Sequence, residues 1–288
     1  MQTALFTKVL SDRSLKDACT VAADIGYDGV ELMCRDPHFG VDTTDEEAAE
    51  LRDHVAALGL EIPCLATYTG SYLDKSEDER EEQLDQLERF CELATILDVD
   101  LVRHGPGGPS SFEAEKSDYE EAAGWFRRAA DLAAEYDKEL GVEIHSSTIV
   151  ESAADARYFL DMVDRENVGA IHDAGNMFIS RSDYGAASVK MLGDWLRHVH
   201  VKDERRVAGD GDGRFTVRTV EGAEWFEPAL LNEGDADHAP LFDALAAIDY
   251  DGFLTDECHV APTDDRDPVA IARGEHETLD RLLSNAGR

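Results

Sequence analysis

A short apolar, β-branched run followed by an amphipathic helical stretch recurs eight times along this chain. The strand-like runs lie near 4–9, 29–33, 61–66, 101–104, 141–145, 168–172, 198–201 and 253–257. Helical periodicity fills 14–25, 44–58, 76–97, 117–136, 152–163, 184–195, 239–248 and 268–283. Strict alternation demands parallel strands, because each helix returns the chain to the start of the next strand. Eight units over 288 residues average 36 residues each, the length of one βα repeat. An open doubly wound sheet would want a glycine-rich phosphate turn after an early strand; the first strand is followed by Leu10-Ser11-Asp12-Arg13 instead. The expectation is an α/β fold: a (β/α)8 TIM barrel, a closed parallel eight-stranded barrel built by residues 1–288 as one domain. One long connection, 203–238, breaks the rhythm. Its segment 214–220 alternates in character and reads as a small hairpin or lid.

Local signals agree with this reading. Ser14, Thr44, Ser76, Ser117 and Ser152 stand where helix N-caps belong, offering a side-chain oxygen to free amides of the first turn. Gly26, Gly59, Gly141 and Gly252 fall between helices and strands, where a left-handed stop is expected.

The charge balance narrows the partners. Sixty-three acidic residues face 27 basic ones, a net charge of −36, and only seven of the bases are lysine. The acids group on predicted helix faces, as in Asp45-Glu46-Glu47, Glu77-Asp78-Glu79 and the run Asp264, Asp265, Asp267. Self-repulsion on this scale weakens a compact fold at low ionic strength, whereas molar salt shortens the screening length to roughly 3 Å. A halophilic protein is expected. The same balance argues against a nucleic-acid partner, which calls for a basic footprint. A membrane partner is not expected either, since no apolar run approaches the ~20 residues that span a bilayer. The N-terminus has no basic stretch followed by an apolar core, so the cytoplasm is the default location; a homo-oligomer stays open. The five cysteines (19, 34, 64, 91, 258) show no CxxC spacing and read as buried small hydrophobes.

In a parallel barrel, chemistry gathers where strands end at the C-terminal mouth. The fifth strand ends Val142-Glu143-Ile144-His145, the sixth Ile171-His172-Asp173, the seventh His200-Val201-Lys202-Asp203 and the eighth Thr255-Asp256-Glu257. A lone glutamate or histidine at a strand end is more often a structural rim residue. Four consecutive strands delivering Glu143, Asp173, His200 and Glu257 to one rim are hard to obtain by accident. Converging carboxylates repel one another and lose hydration, and a divalent cation relieves both costs. Three carboxylates and one imidazole favour Mn2+ or Mg2+, with Co2+ also suited, over a thiolate-rich structural zinc.

The endings Glu143-x-His145, Asp173-x-x-Asn176, His200-x-Lys202-Asp203 and Glu257 resemble the xylose isomerase-like superfamily of sugar isomerases and epimerases. So do Gly26-Tyr27-Asp28-Gly29-Val30-Glu31-Leu32, Tyr250-Asp251-Gly252-Phe253, and the turn Asn232-Glu233-Gly234-Asp235-Ala236-Asp237. The resemblance covers nearly the whole chain. It implies that Glu143, Asp173, His200 and Glu257 hold the metal, and that Glu143 and Glu257 serve as acid and base on a sugar or sugar phosphate. One glutamate would remove a proton beside a carbonyl to give an enediolate, and the other would return it. Some epimerases of the group have histidine where Asn176 stands, while sugar-phosphate members have asparagine, which makes Asn176 a hydroxyl binder. Arg206 occupies the place of a substrate-binding arginine, with Arg205 adjacent.

Other strand ends add candidates. His104, before Gly105-Pro106-Gly107-Gly108, is expected to contact substrate. His145 shares a strand face with Glu143 and is read as substrate-binding. Lys202 shares a face with His200 and suits a hydroxyl or phosphate, or else a partner for Asp173 or Glu257. Glu31 would orient a neighbouring group or make a rim salt bridge, and Trp225-Phe226 would roof the pocket. The close alternative to an isomerase or epimerase is an inosose dehydratase-like lyase using the same acid–base pair. An endonuclease IV-like nuclease would need histidines where the second and third strands end Glu31-Leu32-Met33 and Ala66-Thr67-Tyr68. A non-catalytic sugar-binding protein would need the Glu143/Glu257 pair broken.

Overall fold

The computed structural model describes residues 1–262 and 266–286, so Asp264 and Asp265 of the last acidic run lie outside the described residues. In chain order the strands are β1 (Gln2–Phe6), β2 (Gly29–Met33), β3 (Leu65–Ala66), β4 (Leu101–Arg103), β5 (Glu139–Glu143), β6 (Val168–Asp173), β7 (Leu196–Val201), β8 (Asp203–Val207), β9 (Phe215–Thr219), β10 (Gly222–Ala229) and β11 (Phe253–Asp256). The helices are α1 (Leu15–Ile25), α2 (Asp45–Ala57), α3 (Glu77–Leu97), α4 (Lys116–Ala134), α5 (Ala153–Val163), α6 (Ala174–Ile179), α7 (Ala186–Leu192), α8 (Ala239–Ala247) and α9 (Pro268–Asn285).

Eight strands close a parallel barrel in the order β1-β11-β7-β6-β5-β4-β3-β2. The fold is the TIM barrel that the alternation demanded. The main apolar core lies between barrel and helices, joining Leu5, Val30, Leu65, Val102 and Val142 of the strands to Leu51, Leu87, Phe126 and Phe159 of α2 to α5. Two small apolar clusters stand apart from it: Phe6, Met33 and Ala66, and Cys64, Leu101 and Ile171. Side chains alternate between faces along a strand, which puts both clusters inside the barrel, the first at the C-terminal ends of β1, β2 and β3. All five cysteines are buried and free. Among the described residues, no helix is long and apolar enough to cross a membrane.

Register fixes the height of the site residues. Asp173 of β6 pairs with His200 of β7, and His200 pairs with Thr255 of β11, two residues before Glu257. Glu143 of β5 pairs with Ile171, two residues before Asp173. A slip of one residue in any of these pairings would turn a site residue to the outer face.

Helix starts follow their caps. Ser14, Thr44, Ser76 and Ser152 each accept from the backbone amide three residues on. Ser117 does not, because α4 begins earlier, with Glu115 at its cap. Gly26 adopts φ +117 and Gly59 φ +74. Gly141 and Gly252 do not have positive φ; the left-handed stops before β5 and β11 are Asp137 and Asp249, at φ 56 and 53. Gly141 is a strand residue instead, where an added Cβ would meet Ile171 Cδ1 at 2.7 Å. The first strand is shorter than expected, because Thr7–Leu10 forms a 3-10 turn. The third shrinks to two residues beside Pro63, which lacks the amide hydrogen a ladder needs. The helical stretch expected at 184–195 is α7, and α6 precedes it directly after β6 because Asp173 caps α6 through Asn176 N.

The connection after β7 folds as an antiparallel sheet in the order β8-β10-β9. Asp203 ties it to the barrel mouth. Its buried carboxylate accepts from the amides of Glu204 (2.8 Å), Asn232 (3.0 Å), Gly234 (3.0 Å) and Ala236 (3.1 Å). Gly234 is needed for this approach, since a Cβ there would lie 2.1 Å from Asp203 Oδ1. Asp203→Ala would leave buried amides unpaired and is expected to cost about 3 kcal/mol. Hydrogen exchange at Asn232, Gly234 and Ala236 should accelerate in that variant, and unchanged protection would contradict the tether.

Candidate metal centre

His200 stands at the centre of the acidic cluster. Its Nδ1 lies 3.5 Å from Glu143 Oε1, 3.7 Å from Asp173 Oδ2 and 3.7 Å from Glu257 Oε2. One donor atom from each of the four residues falls within 4.8 Å of the other three. Asp173 and His200 are fully buried, and Glu143 and Glu257 nearly so. These separations are too long for hydrogen bonds. They suit donors that sit about 2.1 Å from one shared ion.

The opposite edge of the imidazole explains its orientation. Glu31 of β2 reaches His200 Nε2 at 3.0 Å and His198 Nε2 at 2.8 Å. Burial acts to raise the Glu31 carboxyl, but His200 and His198 outweigh it and hold it well below the carboxylate range. An ionised carboxylate only accepts, so Nε2 of each histidine carries a hydrogen. That leaves His200 Nδ1 facing the cluster, where it makes no hydrogen bond although buried. Glu31, His198 and His200 also form a compact triad of their own, which these hydrogen bonds account for.

Two cations share the carboxylates. Lys202 Nζ lies 2.6 Å from Glu257 Oε2 and 2.9 Å from Asp173 Oδ2. Arg103 Nη1 donates to Glu143 Oε2 at 2.7 Å and lies 4.0 Å from Glu257 Oε1. Burial would raise the Glu143 carboxyl; Arg103 together with His200 and His145 outweighs it and holds it well below the usual range. Lys202, with His259 and His200, does the same for Glu257. Both glutamates are ionised at neutral pH. The donor set, the unpaired His200 Nδ1 and the spacing fit a divalent ion.

Above this floor opens a cavity of about 370 Å³. Glu143 and Glu257 line it, with Arg103, His145, Tyr68 and His259. The expected substrate residues divide. His145 reaches the cavity, its Nδ1 against Ser146 O at 2.7 Å. Lys202 takes the partner role with Asp173 and Glu257. Asn176 is turned to the glutamate rather than the cavity, donating from Nδ2 to Glu143 Oε1 at 3.0 Å. His104 faces away. It is fully buried, with Nδ1 on Thr69 Oγ1 at 2.8 Å and Nε2 on Tyr72 OH at 2.7 Å, which occupies both ring nitrogens. Arg206 also misses, because β8 carries it to Glu224, 3.1 Å away, and over the rings of Phe178 and Phe226. Phe226 is buried against Phe178 and Phe215 and does not roof the cavity; Trp225 does not line it either.

Arg103 is the residue that sequence reasoning missed. It ends the run Leu101-Val102-Arg103, and period-two alternation puts Arg103 and His104 on opposite faces. An arginine closing a buried apolar strand was the available signal. Lys8, Arg35, Tyr68 and His259 were also unassigned, since they come from loops and a 3-10 turn beyond the strand ends.

Glu31→Gln should weaken Mn2+ binding by about 10- to 100-fold with the fold intact, measured by titration calorimetry; unaltered affinity would remove Glu31 from the orienting role. A pH effect follows from His104, which burial lowers from 6.5 to about 3. The unfolded chain takes up this proton below 6.5 and the folded protein does not until about 3. Stability is therefore present above pH 6.5 and is lost as pH falls, by about 1.4 kcal/mol per unit from this group. Urea unfolding from pH 7 to 4 should show a shallower loss in His104→Gln than in the parent protein.

Comparison with known proteins agrees with this architecture. The L-ribulose 3-epimerase of Methylomonas sp. (strain DH-1) is 28% identical over 251 residues, 84% of this chain and 77% of that protein. The inosose dehydratase of Lactiplantibacillus plantarum is 25% identical over 169 residues, 58% of this chain and 55% of that protein. The chain thus spans about half the length of that dehydratase. Among solved structures, the IOLI protein with a binding zinc atom superposes with a TM-score of 0.79 at 16% identity, covering 99% of this chain and 98% of that one; at that identity the likeness concerns the fold. Residues 19–282 match the model of one family, and the chain belongs to it: the Xylose isomerase-like TIM barrel family.

Proposed function

We propose that this protein is a divalent-metal-dependent isomerase or epimerase that moves a proton on a small sugar or sugar phosphate. One observation carries the reading: two ionised glutamates from different strands, Glu143 and Glu257, line one cavity and share the space around His200 Nδ1. Glu143, Asp173, His200 and Glu257 would hold the metal, with Mn2+ or Mg2+ favoured by the oxygen-rich set. When bound, such an ion polarises a carbonyl and a neighbouring hydroxyl, which acidifies the C–H between them.

The protein's own groups divide the remaining work. One glutamate takes the proton from the carbon beside the carbonyl; in an isomerase it returns that proton to the next carbon. In an epimerase the other glutamate, after taking a proton from water, delivers it to the opposite face while the first releases its own to water. Arg103 faces both glutamates, so it steadies whichever carboxylate is charged. Asn176 fixes the angle of Glu143. His145 and the hydroxyls of Thr67 and Thr148 stand around the cavity to bind substrate oxygens.

A second reading is a dehydratase, favoured by the match to inosose dehydratase and by His259. Its Nε2 lies 3.6 Å from Glu257 Oε1 on the cavity wall, where it can hand a proton to a departing hydroxyl. The two reactions part in D2O. Mn2+-loaded protein in molar KCl, given ketoses, aldoses and inosose, should place deuterium on the carbon beside the carbonyl of its substrate. A product lacking one water would assign the dehydratase. Glu143→Gln should lower kcat by about 10²- to 10⁴-fold and chelation should abolish turnover; activity that survives either treatment would contradict the mechanism.

A further inference from the structure

A chain with 63 acidic and 27 basic residues offers its bases many carboxylate partners. Many bases are paired with one: Arg103 with Glu143, Lys202 with Glu257, Arg89 with Asp45, Arg165 with Asp131, Arg181 with Glu224. Two bases at the cavity wall are not. Among the described residues, Lys8 and Arg35 line the cavity and neither forms an ion pair.

Their positions are fixed by other means. Lys8 sits on the 3-10 turn that leaves β1, half-buried at the cavity edge. Arg35 follows β2, and its Cζ lies 4.2 Å from the centre of the Tyr68 ring, with Arg103 Cζ 4.8 Å from the same ring. A cation over an aromatic face is held in place without being neutralised. The carboxylates that line the cavity, Glu143 and Glu257, are already engaged below by Arg103 and Lys202. The outer wall therefore keeps two positive groups with no carboxylate in ion-pair contact, on a protein whose overall field repels anions. A planar guanidinium beside an ammonium matches the oxygens of a phosphate or a carboxylate.

We propose that the cavity takes a polyhydroxy carbonyl compound with a terminal anionic group, phosphate or carboxylate, which Lys8 and Arg35 hold while the carbonyl end reaches Glu143 and Glu257. This rests on the proton-transfer reading for the carbonyl end; the anion site itself depends only on Lys8 and Arg35. The cavity, about 370 Å³, is within the size range of small-molecule sites.

The test compares D-fructose, D-fructose 6-phosphate and D-fructuronate on the Mn2+-loaded full chain at one KCl concentration. Binding is read by calorimetry and proton transfer by deuterium uptake. At least one anionic ligand should bind tenfold or more tightly than fructose, and the tighter of the two identifies the anion. The double variant Lys8→Met, Arg35→Gln should bring that ratio close to one, and Arg35→Lys should restore much of it. Fructose binding as tightly as both anions, a preference that survives the double variant, or binding of none of the three would overturn the assignment. Absence of deuterium uptake with every ligand would sink the proton-transfer reading alone, since the binding ratio judges the anion site independently.

Discussion

Three carboxylates converge on one buried imidazole edge, and that crowding governs the rest of the mouth. Like charges at such spacing, removed from water, are tolerated only when cations share them. The chain supplies Arg103 and Lys202 from β4 and the end of β7, and they engage Glu143, Asp173 and Glu257. These pairs still leave His200 Nδ1 buried without a hydrogen bond, and a divalent ion held with the three carboxylates would satisfy it.

The barrel makes this arrangement rigid. Parallel pairing of β6 with β7 sets Asp173 level with His200, and the pairings of β7 with β11 and of β5 with β6 fix Glu257 and Glu143 each two residues off in register. Glu31 from β2 reaches across the interior to His198 and His200, so the imidazole is oriented from the far side of the barrel. The same logic recurs at Asp203, whose carboxylate gathers four backbone amides and docks the three-stranded excursion beside the mouth. Acidic residues in this protein therefore play two roles: solvated charge on the helices, and organising acceptors at the strand ends.

The fold was legible because apolar, β-branched runs and capped helices alternate along the chain, interrupted at the 203–238 connection, and the closed barrel follows from that rhythm. Glu143, Asp173, His200 and Glu257 were legible too, as polar endings on apolar strands, and the structure brings them together. What failed was phase and loop geometry. His104 and Arg103 are neighbours on opposite faces of β4, and the histidine was favoured on chemistry when alternation pointed to the arginine. Arg206 was placed by its distance along the chain from His200, but the turn into β8 carries it towards Glu224. Lys8, Arg35 and Tyr68 had no sequence signal, because their positions at the cavity depend on how loops fold over the mouth.

The account turns on whether these four residues bind a common ion. Crystals soaked in Mn2+ and measured at the manganese absorption edge test this directly. The expected anomalous map has one strong peak about 2.0–2.4 Å from His200 Nδ1 and from one oxygen each of Glu143, Asp173 and Glu257. A peak on the Nε2 side, between Glu31 and His198, or no peak at the mouth, would contradict it.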